Sequence, residues 1–243
     1  MEYYILSALA VLLILTVHEY AHAFAAYKLG DNTAKNLGRL SLNPIKHLDP
    51  IGAVFMLFFH FGWAKPVPIN ARNFKNPKRD FAITALAGPL SNLIFAFLSA
   101  AVVLLLRRYY LTTVFESEFL QTLVLNTYYF FLIFHQINIG IAIFNLIPIP
   151  PLDGSRLLNV ILPPKYYFGI MRYERRIYLI LIGWLFLGDI VAAGLLSVPF
   201  IANNAALSFI AGLFSLSDIL GAFFGIVSDA MLDFWRLIPY LNI

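Results

Sequence analysis

Three observations predict an all-α polytopic membrane protein with about five to six transmembrane helices and a short extended or re-entrant region between the first two. Hydrophobic residues make up 60% of the 243 positions and charged residues 12%, against about 25% charged in an average soluble domain, and mean hydropathy is +0.78. Five apolar windows, residues 4–27, 82–106, 119–146, 177–201 and 205–228, are each long enough to cross a hydrocarbon core, which takes about 20 residues. Lysine and arginine gather in two loops beside these windows, nine in 28–80 and five in 147–176, with two in 107–118 and none in 202–204. The formal charge of +4 is thus the signature of a bilayer partner and not of nucleic acid.

The first window ends in Ala21-His22-Ala23, which has the small-x-small look of a signal-peptide cleavage site. The start Met1-Glu2-Tyr3-Tyr4 lacks the positive charge of a signal n-region, so a retained helix is expected. Placing both basic loops in the cytoplasm puts Met1 outside and brings the first helix into the cytoplasm near Lys28, in a multi-pass protein of the cell membrane. Gly52 to Gly62 is an apolar run of about 11 residues, too short for a span and suited to a re-entrant or interfacial element. Leu40 to Pro44 and Trp63 to Asn70 are short, partly alternating and broken by proline, which predicts extended segments of edge or irregular character. Past residue 177 only hydropathy is readable. Gly221 to Gly225 offers a small-xxx-small face, for which internal packing is the expected use, and homo-oligomerisation stays open. The chain reads as one membrane-embedded domain over 1–243, with a catalytic core of about 1–160 and additional helices over about 177–228.

The first helix carries His18-Glu19-Tyr20-Ala21-His22 in otherwise apolar surroundings. An ionisable group near mid-bilayer costs several kcal/mol unless it pairs, lines a wet cavity or binds a metal. Positions i and i+4 share a helix face, so His18 and His22 can offer nitrogens to one ion, and Glu19 is placed to reach water beside it. The alternative is a pair of histidines and a glutamate satisfied by neighbouring helices. Cysteine is absent, so ligands must be His, Asp or Glu.

Catalytic zinc usually takes three protein ligands and leaves one position open. Asp153 is the strongest third candidate, because it follows the 119–146 window on the same side as the inner end of the first helix and lies in proline-broken backbone. A solvated Asp-Gly turn is its alternative reading. His135 is the next candidate, with an interhelical hydrogen bond as the competing role. His47 and Asp49 are expected to be solvated, His60 interfacial, and Asp189 a helix break.

His18-Glu19-x-x-His22, Ala87-Gly88-Pro89-Leu90-Ser91-Asn92 and the Asn145-to-Gly154 stretch together resemble the site-2 protease family of intramembrane zinc metalloproteases, over about residues 10–160. Gly62 to Pro68 is similar to the family's short bacterial form, and neither a PDZ insertion nor a C-terminal nucleotide-binding module is recognisable. The resemblance implies His18, His22 and Asp153 as Zn2+ ligands and Glu19 as general base, with Asn145 and Asn92 contributing to substrate or backbone positioning. It implies hydrolysis of peptide bonds within transmembrane segments of membrane-protein substrates. An unwound substrate needs partners for its exposed backbone, and strand addition along the segment holding Val67 and Ile69 would provide them. The rival from another class is a divalent-metal transporter or metal-binding scaffold. It would want ionisable groups spread along a transmembrane path, whereas here they converge on one inner-end site. A prenyl-protein protease would need a later helical glutamate ligand, and Glu116, Glu118 and Glu174 all lie near segment ends.

Overall fold

The computed structural model describes residues 2–52, 64–213 and 215–242. Three long helices form the core: α1 (Glu2–Lys28), α2 (Pro77–Thr112) and α3 (Glu118–Leu146). All three are long and apolar enough to cross a membrane, and α2 packs against both of the others. Ala10, Ala96, Ala100 and Ala142 are fully buried where these helices meet, and such small side chains let backbones approach closely in lipid. Ile14, Ile133 and Phe134 complete the buried cluster between α1 and α3.

Among the described residues the remaining helices of eight residues or more are α4 (Gly154–Ile161), α5 (Pro164–Met171), α6 (Glu174–Leu196), α7 (Ala205–Gly212) and α8 (Leu216–Arg236). Helix α6 bends by 45° between Glu174–Trp184 and Leu187–Leu196, and α7 meets α8 at 90°, so counting each bent pair as one span gives up to five. The window at 205–228 is therefore two helices rather than one straight span. The cause is local: Ser215 accepts the Asp218 N–H at 3.1 Å and starts a new helix there. Helix α2 outruns its window of 82–106 at both ends because Pro77 to Phe81 and Arg107 to Thr112 stay helical beyond the apolar stretch.

Polar bonds attach the later helices to the core. His135 of α3 donates Nδ1–H to the Ala96 carbonyl of α2 at 2.8 Å, and its Nε2 meets the Ser228 hydroxyl of α8 at 3.1 Å. Trp235 of α8 donates to the Phe97 carbonyl at 2.8 Å. His135 is thus an interhelical link and lies away from the candidate ligands. Asp189 of α6 accepts from the Ser217 hydroxyl at 3.0 Å.

Between α1 and α2 the chain doubles back over the end of α1. Gly30, at φ 109°, closes that helix, and the Asp31 N–H reaches the Ala26 carbonyl at 2.9 Å. Asp31 itself is fully buried and gathers donors from both halves of the loop: the Thr33 N–H at 3.0 Å and its hydroxyl, the Asn70 N–H at 2.7 Å and the Asn73 amide at 2.7 Å. Residues 64–70 form irregular backbone, and no strand occurs among the described residues. An isolated bridge pairs Leu48 with Ala64, and the Lys65 N–H donates to the His47 carbonyl at 2.8 Å. Leu40 to Pro44 is likewise coil, ending where Asn43 caps a short 3-10 turn through the Ile45 N–H. His47, expected in solvent, is buried and donates from Nε2 to the Ser41 carbonyl at 2.6 Å, while Asp49 accepts the Ile51 and Gly52 N–H groups at 2.9 and 3.0 Å. The expected re-entrant run, with His60, lies outside the described residues.

Burial pushes the Asp31 carboxyl up, but the hydrogen bonds from Thr33, Asn70 and Asn73 outweigh it and hold the group below the ordinary carboxylate range. A depressed folded-state value stabilises the loop above the unfolded value of about 3.9, and that stabilisation is lost as pH falls through the folded value. Amide exchange over residues 64–73, corrected for intrinsic rates, should therefore speed up on acidification below about pH 4. Asp31→Ala should show fast exchange at every pH, with local opening easier by about 2 kcal/mol.

Candidate metal centre

Helix α1 places His18 and His22 one turn apart on its buried face. Their Nε2 atoms are 3.1 Å apart, and each is 3.2 Å from Oδ2 of Asp153. Among the described residues these three form the one group of His and carboxylate side chains able to hold a metal. The triangle fits zinc. Donors at about 2.0–2.1 Å from a tetrahedral ion stand roughly 3.3 Å from one another, and a near-equilateral triangle of this size leaves the fourth direction open.

Local backbone explains why the nitrogens converge. His22 donates Nδ1–H to the Thr84 carbonyl of α2 at 2.7 Å, which fixes the tautomer and leaves Nε2 with a free lone pair. Helix α2 comes this close because residue 88 is glycine: a Cβ there would overlap Nε2 and Cε1 of His22, and would lie 2.6 Å from Cε1 of His18. The Nδ1 of His18 is buried without a protein partner among the described residues.

Asp153 arrives from the opposite side. The stretch after α3 turns through Pro148, Pro150 and Pro151, with Leu152 N–H bonded to the Ile149 carbonyl at 2.9 Å, and Asp153 stands at the start of α4. Its side chain makes no capping bond to that helix and instead meets the two histidines. Gly154 permits the turn, since a Cβ there would run into the Leu146 and Ile147 carbonyls. Beside the same stretch a mostly apolar cavity of about 410 Å³ opens between Ile147, Ile149, Leu181 and Leu216.

Glu19, next to the first histidine, accepts the Val67 N–H on Oε2 at 2.8 Å. Val67 buries its side chain against Ala23 and Ala34, with Ile69 packed beside it. The 66–70 backbone therefore offers less to a partner strand than its extended form suggests. Pro66 and Pro68 have no N–H, Val67 has given its own to Glu19 and Asn70 its own to Asp31, so among the described residues the Ile69 N–H and the 66–69 carbonyls remain. Asn145 spends its amide on the Ile141 carbonyl at 3.0 Å. Asn92, one turn past Gly88 on α2, is buried with its amide nitrogen unpartnered among the described residues. Sequence reasoning missed Thr84 and the role of Gly88. A backbone carbonyl leaves no trace in residue identity, whereas Gly88 stood inside the quoted motif.

The sequence model of peptidase family M50 matches residues 6–181. The chain is 45% identical over 167 residues to YwhC of Bacillus subtilis (strain 168), an alignment that covers 67% of this chain and 74% of that protein. It is 33% identical over 158 residues to Rip2 of Mycolicibacterium smegmatis and 31% identical over 160 residues to Rip2 of Mycobacterium tuberculosis (strain Erdman), in each case 63% of this chain and 56% of the relative. All three carry names that describe candidate zinc metalloproteases. No solved structure matches the chain. With the family pattern running from α1 through the Asp153 stretch into α6, the chain belongs to peptidase family M50, the site-2 protease family of membrane metalloproteases.

Proposed function

We propose that the protein hydrolyses peptide bonds within transmembrane segments of membrane-protein substrates, with His18, His22 and Asp153 holding Zn2+ and Glu19 acting as general base. The observation that carries this reading is the triangle made by His18 and His22 of the apolar helix α1 with Asp153 of the stretch after α3, with Glu19 one residue from the first ligand. A zinc ion bound there supplies Lewis acidity, lowering the pKa of water toward about 7 and polarising a peptide carbonyl. Glu19 takes the water's proton on its free oxygen and delivers it to the leaving amine. The Thr84 carbonyl keeps the His22 ring turned for ligation, and Asp153 brings one negative charge to two neutral imidazoles, leaving the site net positive toward a developing oxyanion.

His22 lies six residues, or about 9 Å, from the end of α1 at Lys28, and His18 about 15 Å. With the basic loops in the cytoplasm, the site is inside the membrane near the cytoplasmic face, and water enters between the polar loops. A substrate helix must unwind before its carbonyls are open to attack. The Pro66–Ile69 carbonyls and the Ile69 N–H support the unwound segment by one-sided pairing.

Metal analysis of the purified protein should give about one zinc per chain. His18→Ala, His22→Ala and Asp153→Ala should lose most of it, and Gly88→Ala should weaken binding about 10- to 100-fold by pushing the His22 ring aside. Glu19→Gln should keep zinc while cleavage falls about 10²- to 10⁴-fold. Full zinc in Asp153→Ala would refute the ligand set.

Single cysteines placed at Lys35 and Lys165 should label only from the cytoplasmic side, and one at Ser117 only from the opposite side. Labelling of Lys35→Cys and Lys165→Cys from different faces would contradict the orientation.

Mass spectrometry of products should locate the cut in the cytoplasmic half of the substrate's membrane segment. Glycine near the cut should speed cleavage relative to leucine or alanine, because each Gly weakens a helix by about 1 kcal/mol against Ala. Cuts confined to extramembrane loops, at rates indifferent to helix propensity, would refute the intramembrane reading.

A further inference from the structure

The bond between Glu19 and the Val67 backbone joins the candidate base to the segment best placed to receive a substrate. Oε2 of Glu19 holds the Val67 N–H at 2.8 Å, and Oε1 has no protein partner among the described residues. A glutamate side chain is rotamer-rich, so fixing one oxygen decides where the other is offered. The donor is itself well anchored. Its side chain is buried against Ala23 and Ala34, the Asn70 N–H three residues on is held by Asp31 at 2.7 Å, and the Lys65 carbonyl accepts from Arg39. Proline on both sides of Val67 restricts the backbone and removes the neighbouring donors, so the Val67 N–H is the sole donor between Lys65 and Ile69.

We propose that Pro66-Val67-Pro68 is a positioning element for Glu19, in which the Val67 N–H holds one carboxylate oxygen and turns the other toward the reacting water. The carbonyls of the same backbone, with the Ile69 N–H, receive the unwound substrate. A peptide seated there is set in register with the base by one rigid segment. This rests on Glu19 acting as the base, as proposed above. Val67 is a positioning residue: it touches neither metal nor reacting atoms.

Two measurements test it. Amide exchange of the zinc-free protein reads the bond without any activity: in a fragment covering 66–70 the only amides are those of Val67, Ile69 and Asn70. Glu19→Ala should speed exchange of the Val67 amide about tenfold, and Glu19→Gln, which keeps an acceptor oxygen, should leave it slow. Equal exchange in wild type and Glu19→Ala would overturn the proposal.

The second measurement replaces the Val67 amide by an ester, through incorporation of the α-hydroxy acid analogue of valine, which deletes the N–H and keeps the side chain. This should lower kcat about 10- to 100-fold, with KM within about twofold and zinc retained. Val67→Ala keeps the N–H and should lose less kcat than the ester. An ester at Ile69 should instead raise KM. Wild-type kcat in the Val67 ester, or a change in KM alone, would overturn the positioning role. A zinc-loaded wild type that cleaves nothing would overturn the protease reading and the base role together, whereas an active wild type indifferent to the ester overturns only this inference.

Discussion

His22 has two ring nitrogens and, as a neutral imidazole, one proton to place between them. The structure gives the proton a destination: Nδ1–H points at the Thr84 carbonyl of α2 at 2.7 Å, and the lone pair on Nε2 is left facing His18 and Asp153. Everything else at the site follows from that contact being short. It requires α1 and α2 in one register, it requires Gly88 where any side chain would collide with the ring, and it draws on the alanine contacts farther along the helices. In lipid there is no water to rescue an imidazole left facing nothing, so a slip of the two helices would strand a polar ring at a cost of several kcal/mol. The helix pair and the chemistry are therefore held by the same bond.

Around that pair, the other two contributions come from non-helical backbone, each fixed by local means. The Asp153 stretch is shaped by proline, which forbids α3 from continuing, and by Gly154, which lets the turn close against the Leu146 and Ile147 carbonyls. The 64–70 segment is fixed by a buried carboxylate, Asp31, that collects four donors from both sides of the loop. Irregular backbone near a membrane is tolerated where it packs on protein or lines a polar cavity, and both segments do so. Rigidity in the helices sets the two histidines, and satisfied polar groups in the loops set what faces them.

Much of this was legible in residue identity. The i, i+4 histidines declare a shared face, apolar windows mark the three long helices, and the prolines before Asp153 announce a break where a carboxylate can turn inward. What escaped has a common physical cause: it depends on backbone atoms or on space. The carbonyl of Thr84, the missing Cβ of Gly88 and the N–H of Val67 are invisible to side-chain reasoning. Strand-like alternation near Val67 was real, yet the donors it promised were already taken by Glu19 and Asp31. Solvation of His47 was a fair expectation for a histidine in a basic loop, and the Ser41 carbonyl draws it inside instead. Window hydropathy also smoothed over Ser215, whose cap splits the last apolar stretch into α7 and α8.

The position of Asp153 in the chain has a consequence for biosynthesis. Both histidines are on α1, while the carboxylate that faces them comes later in the chain, after α3 has ended at Leu146. On the proposed ligand set, a nascent chain carries its base and two ligands into the bilayer with no competent centre, because the last ligand is still unmade. On the same ligand set, a complete centre requires α1, α2 and α3 to be in place and the stretch after α3 to have folded back on α1. On that reading the order of translation acts as a safeguard, since an arrested or truncated chain ending before that stretch lacks the third ligand.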